Sequence, residues 1–308
     1  MPILLKNCLD KLTELVGLWN DCAVEPFWMD RLLMRQYLQA PGAIVWVEGS
    51  PWRGALWARI GPHATTLDAL WVKPDSRRQG VGRRLLSAFR GALSPSVGWR
   101  FGGGEHHLVP GLPAQLSHHH AFFERHGLVA DWHAHDLLWK ESGQEKAVWD
   151  KSVYRLVELG QLEQLAGLLR HFGARWQTDT ALRAQALSQG SAEEIMGAFQ
   201  AERLVGFCHI WSSRSGRLGP STFWLPRQDT AVWGGIGPLG VHPEVRGRGY
   251  GAGVVEASLA YLRERGAKLI GVDWTGLPEF YEGRGFRRWL DYRGYHPAAD
   301  RGSGEAEQ

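Results

Sequence analysis

Arg246-Gly247-Arg248-Gly249-Tyr250-Gly251 and Arg77-Arg78-Gln79-Gly80-Val81-Gly82 are two copies of one short loop. Each follows an apolar run ending in Val-x-Pro, Leu239-Gly240-Val241-His242-Pro243 in one case and Leu70-Trp71-Val72-Lys73-Pro74 in the other, and each opens an apolar helix. A strand, a glycine-rich turn and a helix start together form an anion site, because free main-chain N–H groups converge there and the helix dipole adds partial positive charge. The pattern predicts a phosphate-bearing ligand at both places. It is neither a Walker loop, which needs Gly-Lys followed by Ser or Thr, nor a dinucleotide fingerprint, which needs Gly-x-Gly-x-x-Gly.

A glycine before a helix is common wherever the chain needs positive φ. More specific is a second element that follows both loops. The second copy has Phe280-Tyr281-Glu282-Gly283-Arg284-Gly285-Phe286, and the first has Phe122-Phe123-Glu124-Arg125-His126-Gly127-Leu128 in the same frame, with Phe123 in place of the tyrosine. The aromatic pairs lie closer together in the chain than the loops do, so the first copy carries extra residues, placed between Gly102 and His120.

With both elements in hand, the chain resembles the GNAT superfamily of N-acetyltransferases over nearly its whole length. Arg-x-x-Gly-x-Gly after Val-x-Pro is similar to that family's acyl-CoA pyrophosphate loop, and Phe-Tyr-x-x-x-Gly-Phe to the signature closing its acceptor side. The resemblance implies an α+β fold: two tandem GNAT-like domains, each a mixed, mostly antiparallel twisted sheet flanked by helices. It also implies acetyl-CoA as donor and a primary amine of a small molecule as acceptor. The expected cofactor contacts are Leu239, Gly240, Val241, Arg246, Gly247, Arg248, Gly249, Tyr250, Gly251 and Ala252 in the second copy. In the first they are Leu70, Trp71, Val72, Arg77, Arg78, Gln79, Gly80, Val81, Gly82 and Arg83.

By the same resemblance Tyr281 is the acid that protonates the departing thiolate; a phenol stays protonated at neutral pH and can donate. Phe123 cannot, so for the first copy cofactor binding without turnover, full activity and no binding all stay open. In many relatives a carboxylate four residues ahead of the Val of Val-x-Pro serves as base. Asp68 holds that position in the first copy and Gly237 in the second, which leaves Asp273, Glu279 and His209 as substitutes there. The stretches Phe101 to Pro113 and Ile270 to Thr275 are similar to a tandem subgroup with members fused to sugar-cleaving hydrolases, which raises amino sugars as acceptors. A non-catalytic acyl-CoA-binding protein is the alternative.

The rest of the composition bounds these readings. The chain has 308 residues, enough for two domains, and a formal charge of +3 without a long basic run, so nucleic acid is not an implied partner. Its three cysteines lack metal-ligand spacing. Eight of the 13 histidines fall between His106 and His135, where zinc is weighed and set below surface and packing roles. No signal-peptide layout and no apolar stretch of about 20 residues is present, so a soluble cytoplasmic protein that avoids membranes is expected. Oligomeric state is not readable.

Periodicity and turn signals predict strands at 3–5, 43–47, 54–60, 65–72, 99–101 and 136–139, with helices at 9–19, 29–38, through Phe89 and at 121–126. The second half repeats this order: strands at 154–157, 195–199, 204–211, 235–241 and 269–274, helices at 162–169, 181–186 and 251–265. The polar stretch 141–151 suggests domains at 1–145 and 146–299, with a flexible tail at 300–308. Residues 213–230 form an irregular excursion. The 16 tryptophans, Trp46, Trp57, Trp71, Trp211 and Trp274 among them, default to sheet core over a sugar-stacking role.

Overall fold

The computed structural model describes residues 1–61, 65–93, 98–103, 107–140, 149–172, 194–213, 215, 217–225 and 232–298. The expected helix at 181–186, residues 214, 216 and 226–230 of the 213–230 excursion and the 300–308 tail lie outside them. The chain divides into two compact units, Met1–Ala134 with the segment that begins at Asp291, and His135–Leu290. This differs from a division at 145, since the strands Leu128–Lys140 (β7) and Arg287–Pro297 (β13) each give residues to both units.

In the first unit, strands β1 (Ile3–Leu4), β2 (Ala43–Gly49), β3 (Trp52–Ile60) and β4 (Thr65–Val72) pair antiparallel in that order. The short β5 (Trp99–Phe101) joins β4 in parallel. Tyr295 of β13 pairs with Phe101, and Tyr292 and Arg293 pair with β6 (Leu112–Pro113), which lies among the extra residues of the first copy. Strand alternation sends Trp57 and Trp71 to one face, where Trp19 of the helix Leu12–Asn20 meets both edge-on at 4.9 and 5.6 Å. Trp46 points to the other face, against Phe89 of the helix Val81–Ala92. Phe89, Leu85 and Leu86 are buried there, and each such side chain contributes about 1.5–3 kcal/mol.

The second unit repeats the plan. Strands β8 (Tyr154–Leu156), β9 (Glu194–Gln200), β10 (Arg203–Ser212) and β11 (Val232–Val241) pair antiparallel. Strand β12 (Ala267–Thr275) runs parallel to β11, and the end of β7 pairs antiparallel with β12. The helix Tyr250–Glu264 packs Val254, Val255 and Leu262 against Ile236, Ile270 and Val272. Leu165, Leu168 and Leu169 of the helix Leu162–Leu169 meet Phe199 and Phe207 in a separate core cluster. Both units are therefore α+β, with mixed, mostly antiparallel sheets. Of the tryptophans named on strands, Trp46, Trp57, Trp71 and Trp211 are buried in the core, and Trp274 is half-buried.

Candidate functional site

Both loops fold alike, for reasons visible in their residues. After Val-x-Pro the chain makes one turn of 3-10 helix, Pro74–Ser76 or Pro243–Val245. Arg77 and Arg246 then each donate from Nε to the carbonyl of the preceding strand's last valine, Val72 or Val241, at 3.1 Å. Two residues in each loop take the left-handed conformation: Arg78 (φ 63°) and Gly80 (φ 77°) in the first, Gly247 (φ 75°) and Gly249 (φ 89°) in the second. Gly80 and Gly249 are the residues from which the long helices start, and neither helix start has a side-chain cap. By contrast, the helix Arg31–Gln39 is capped by Asp30, which accepts from Leu33 N–H. The first-turn amides of both loop helices are thus free of side-chain acceptors, which suits an anionic group.

The surroundings differ. At Gly247 and Gly249 a Cβ would meet no atom within 4 Å. In the first loop Arg84 donates to the Gln79 carbonyl at 3.1 Å, and its Nη1 stands 2.7 Å from where a Cβ on Gly80 would lie. Arg84 is held by Glu48, whose buried carboxylate accepts from Arg84 Nε at 3.0 and 3.1 Å. The second copy has Gly253 in place of that arginine, and the Tyr154 ring packs directly on it.

Beside each loop the two parallel strands part at the same step. Leu67 opposite Phe101 is the last pair of β4 and β5, and Ile236 opposite Val272 the last of β11 and β12. A bulge follows in each case. Trp57 faces Ala69 and Ala58 faces Leu67, so Asp68 is the extra residue on β4. Cys208 faces Leu239 and Ile210 faces Ile236, so Gly237 and Pro238 stand opposite the single residue His209. Gly237 takes φ 115°, and its carbonyl accepts from Trp211 Nε1 at 3.0 Å. Beyond the bulge, Leu239 to Val241 keep the β10 ladder on one edge and present the other edge to the opening.

The structure places the named residues as follows. Tyr281 sits in the short helix Pro278–Glu282, buried, its ring edge-on to Phe280 at 5.0 Å and to Phe286 at 5.7 Å. Burial pushes its phenol above the ordinary value, with Cys208 and the Asp273 carboxylate adding and Arg284 opposing. Asp273 is half-buried on β12, its Oδ1 3.9 Å from the Cβ position of Gly237. The carboxylate missing at Gly237 is therefore met from the strand across the opening. Glu279 is exposed and ion-paired with Arg288 at 2.8 Å, and His209 is wholly buried in the sheet.

In the first unit Asp68 is buried and accepts from Tyr37 Oη at 2.7 Å and Thr66 Oγ1 at 3.0 Å. Burial raises its pKa, against Arg59 and these two hydrogen bonds, which favours the neutral acid. Tyr37 lies 31 residues before Asp68, and no local pattern joins them. Phe123 is buried against Phe101 at 5.0 Å. Asp68 and Phe123 line a small cavity together with Trp19, Trp71, Phe101 and His119. Of the clustered histidines, His120 faces Tyr295 Oη at 2.8 Å and the Pro113 carbonyl at 3.0 Å, and His126 faces the Phe122 carbonyl. Among the described residues, no three His, Cys, Asp or Glu side chains gather as a metal site.

The family model of the acetyltransferase (GNAT) family matches residues 10–92 and 162–286, once in each unit. Among solved structures, the chain is similar to a GCN5-related glucosamine N-acetyltransferase region of a fungal multi-domain GH3 β-N-acetylglucosaminidase, at 21% identity and a TM-score of 0.78. That alignment covers 96% of this chain and 38% of the fungal one, so the chain spans well under half of that neighbour's length. A tandem GNAT protein from the clavulanic acid biosynthesis pathway aligns at 18% identity over 99% of both chains, with a TM-score of 0.70. A GCN5-related N-acetyltransferase from Sphaerobacter thermophilus aligns at 15% identity over 96% of this chain and 95% of its own, with a TM-score of 0.68. No curated protein matches by sequence. At these identities the structural likeness speaks for the fold.

Proposed function

We propose, from the premise that this chain belongs to the acetyltransferase (GNAT) family, that its second unit moves an acetyl group from acetyl-CoA to a primary amine of a small molecule. The observation that carries this reading is the coincidence, in one unit, of an open loop at Gly247 and Gly249, strands that part at Ile236, and Tyr281 beside the opening. When bound, acetyl-CoA supplies an acetyl thioester. The amides from Arg246 to Ala252 would hold its diphosphate, and the free edge of β11 from Leu239 to Val241 would pair with its amide-bearing arm.

The residues then divide the proton work. Tyr281 keeps its proton throughout the neutral range and donates it from Oη to the leaving sulfur. Asp273, across the opening from Gly237, takes the proton that the amine loses on attack, directly or through water. Holding donor and acceptor in line supplies further rate on its own.

An amino sugar is the acceptor class we favour. Support comes from the fungal neighbour, described as a glucosamine N-acetyltransferase region, and from Trp274, which stands half-buried beside Asp273. The test is CoA release from acetyl-CoA with a panel of amines that includes glucosamine, in the wild type and in Tyr281→Phe. Turnover on no amine despite cofactor binding would leave the non-catalytic alternative.

That alternative fits the first unit. Phe123 has no proton to give, Asp68 is engaged by Tyr37 in the interior, and Arg84 packs the loop. We infer that the first unit transfers no acetyl group.

A further inference from the structure

Strand β12 carries a bulge of its own, directly across the opening from the bulge at Gly237. Val272 pairs with Leu137 and Thr275 with His135, so Asp273 and Trp274 together stand opposite the single residue Asp136. A bulge takes a main-chain amide out of the ladder, and a buried amide without an acceptor costs about 1–3 kcal/mol. Here Asp136, itself buried, accepts from Trp274 N–H through Oδ1 at 3.0 Å. Trp274 is held at φ 43°, a conformation that a bulky residue rarely adopts without a specific anchor. The same bulge sets the direction of Asp273, whose Oδ1 comes within 3.9 Å of the Gly237 Cβ position.

We propose that Asp136 is a positioning residue for the second unit: it anchors the Asp273-Trp274 bulge and so aims the Asp273 carboxylate into the opening between β11 and β12. It does so without touching substrate. This rests on the reading of the second unit as the transferring one only in making Asp273 the proton acceptor; the anchoring itself is a property of the fold. Asparagine should replace Asp136 well, since its amide oxygen accepts the same N–H. Alanine should not.

The test uses the full chain. Amide hydrogen exchange should find Trp274 N–H protected in the wild type and in Asp136→Asn, and at least about tenfold faster in Asp136→Ala. Steady-state transfer should then show kcat lowered about 10–100-fold in Asp136→Ala, with KM for acetyl-CoA within about twofold, and kcat near wild type in Asp136→Asn. A wild-type Trp274 amide that exchanges freely overturns the proposal without any variant, which covers the case in which Asp136→Ala does not fold. So does an Asp136→Asn protein that loses kcat as fully as Asp136→Ala. If the wild type turns over no amine, the functional reading fails while exchange and NMR titration of the Asp273 carboxyl still decide the anchoring: an Asp273 titration unchanged in Asp136→Ala overturns it.

Discussion

Tyr281→Phe removes one hydroxyl from a ring packed edge-on against Phe280 and Phe286 at 5.0 and 5.7 Å, and both contacts survive the change. Stability should therefore move by no more than about 1 kcal/mol, the usual net worth of one hydrogen-bonding group. Catalysis should move much further. A positioned acid contributes about 10²–10⁴-fold, equivalent to roughly 3–5 kcal/mol of barrier, and the variant should lose that factor in kcat. KM for acetyl-CoA should stay within about twofold, because the amides assigned to the cofactor lie in the loop from Arg246 to Ala252 and none belongs to Tyr281. The assay is initial-rate CoA release at saturating amine, with urea unfolding of the same preparations as control. The pH profile adds a second readout. Burial raises the Tyr281 pKa, so the alkaline fall of kcat that reports loss of this acid should begin above pH 10 in the wild type. A variant that retains kcat within about threefold, with an unchanged profile, would remove Tyr281 from the chemistry.

Other expectations concern both units. His119 is pushed down from 6.5 to about 4, first by burial and then by Arg77, His120 and His118. The unfolded chain therefore takes up its proton first as pH falls, and stabilisation present above pH 6.5 is lost between 6.5 and 4, worth about 3 kcal/mol at most. Urea midpoints across that window should fall, and His119→Gln should flatten the fall; equal slopes in both proteins would refute it. Arg78→Gly should stabilise by about 0.5–1 kcal/mol, since relieving a left-handed residue outweighs the added freedom of the unfolded chain; a lower urea midpoint would refute that. Gly237→Ala should cost about 1–2 kcal/mol from its φ of 115° alone, because a Cβ there comes no nearer than 3.9 Å to Asp273. A loss well above that in urea would mean a clash that this geometry lacks.

How far the sequence discloses this protein depends on whether a feature is local. The two loops were legible because glycine at 80, 247 and 249 answers a local backbone demand, and the apolar spacing of the following helices is local too. The contrast between Phe123 and Tyr281 needed only the alignment of one frame with the other. The bulges at Asp68, Gly237 and Asp273 were invisible, because a bulge is a count of residues against a partner strand. Asp136 looked like the first position of a short strand at 136–139; its value comes from Trp274, 138 residues further on. Asp68 invited a catalytic reading by its place before Val-x-Pro; Thr66 is a same-strand neighbour two residues away, but only tertiary structure brings Tyr37 onto its carboxyl. The polar stretch after Lys140 suggested a division at 145, whereas residues 135–140 group with the second unit.

The most direct check of the whole account is titration calorimetry of acetyl-CoA into the full chain, set beside Gly249→Val. A β-branched residue is a severe outlier at φ 89°, so the variant should disturb the loop amides while the sheet and its aromatic core remain. The account predicts saturable binding to the wild type and a loss of about tenfold or more in affinity for the variant. Equal affinity in the two proteins, or no heat with the wild type, would contradict it.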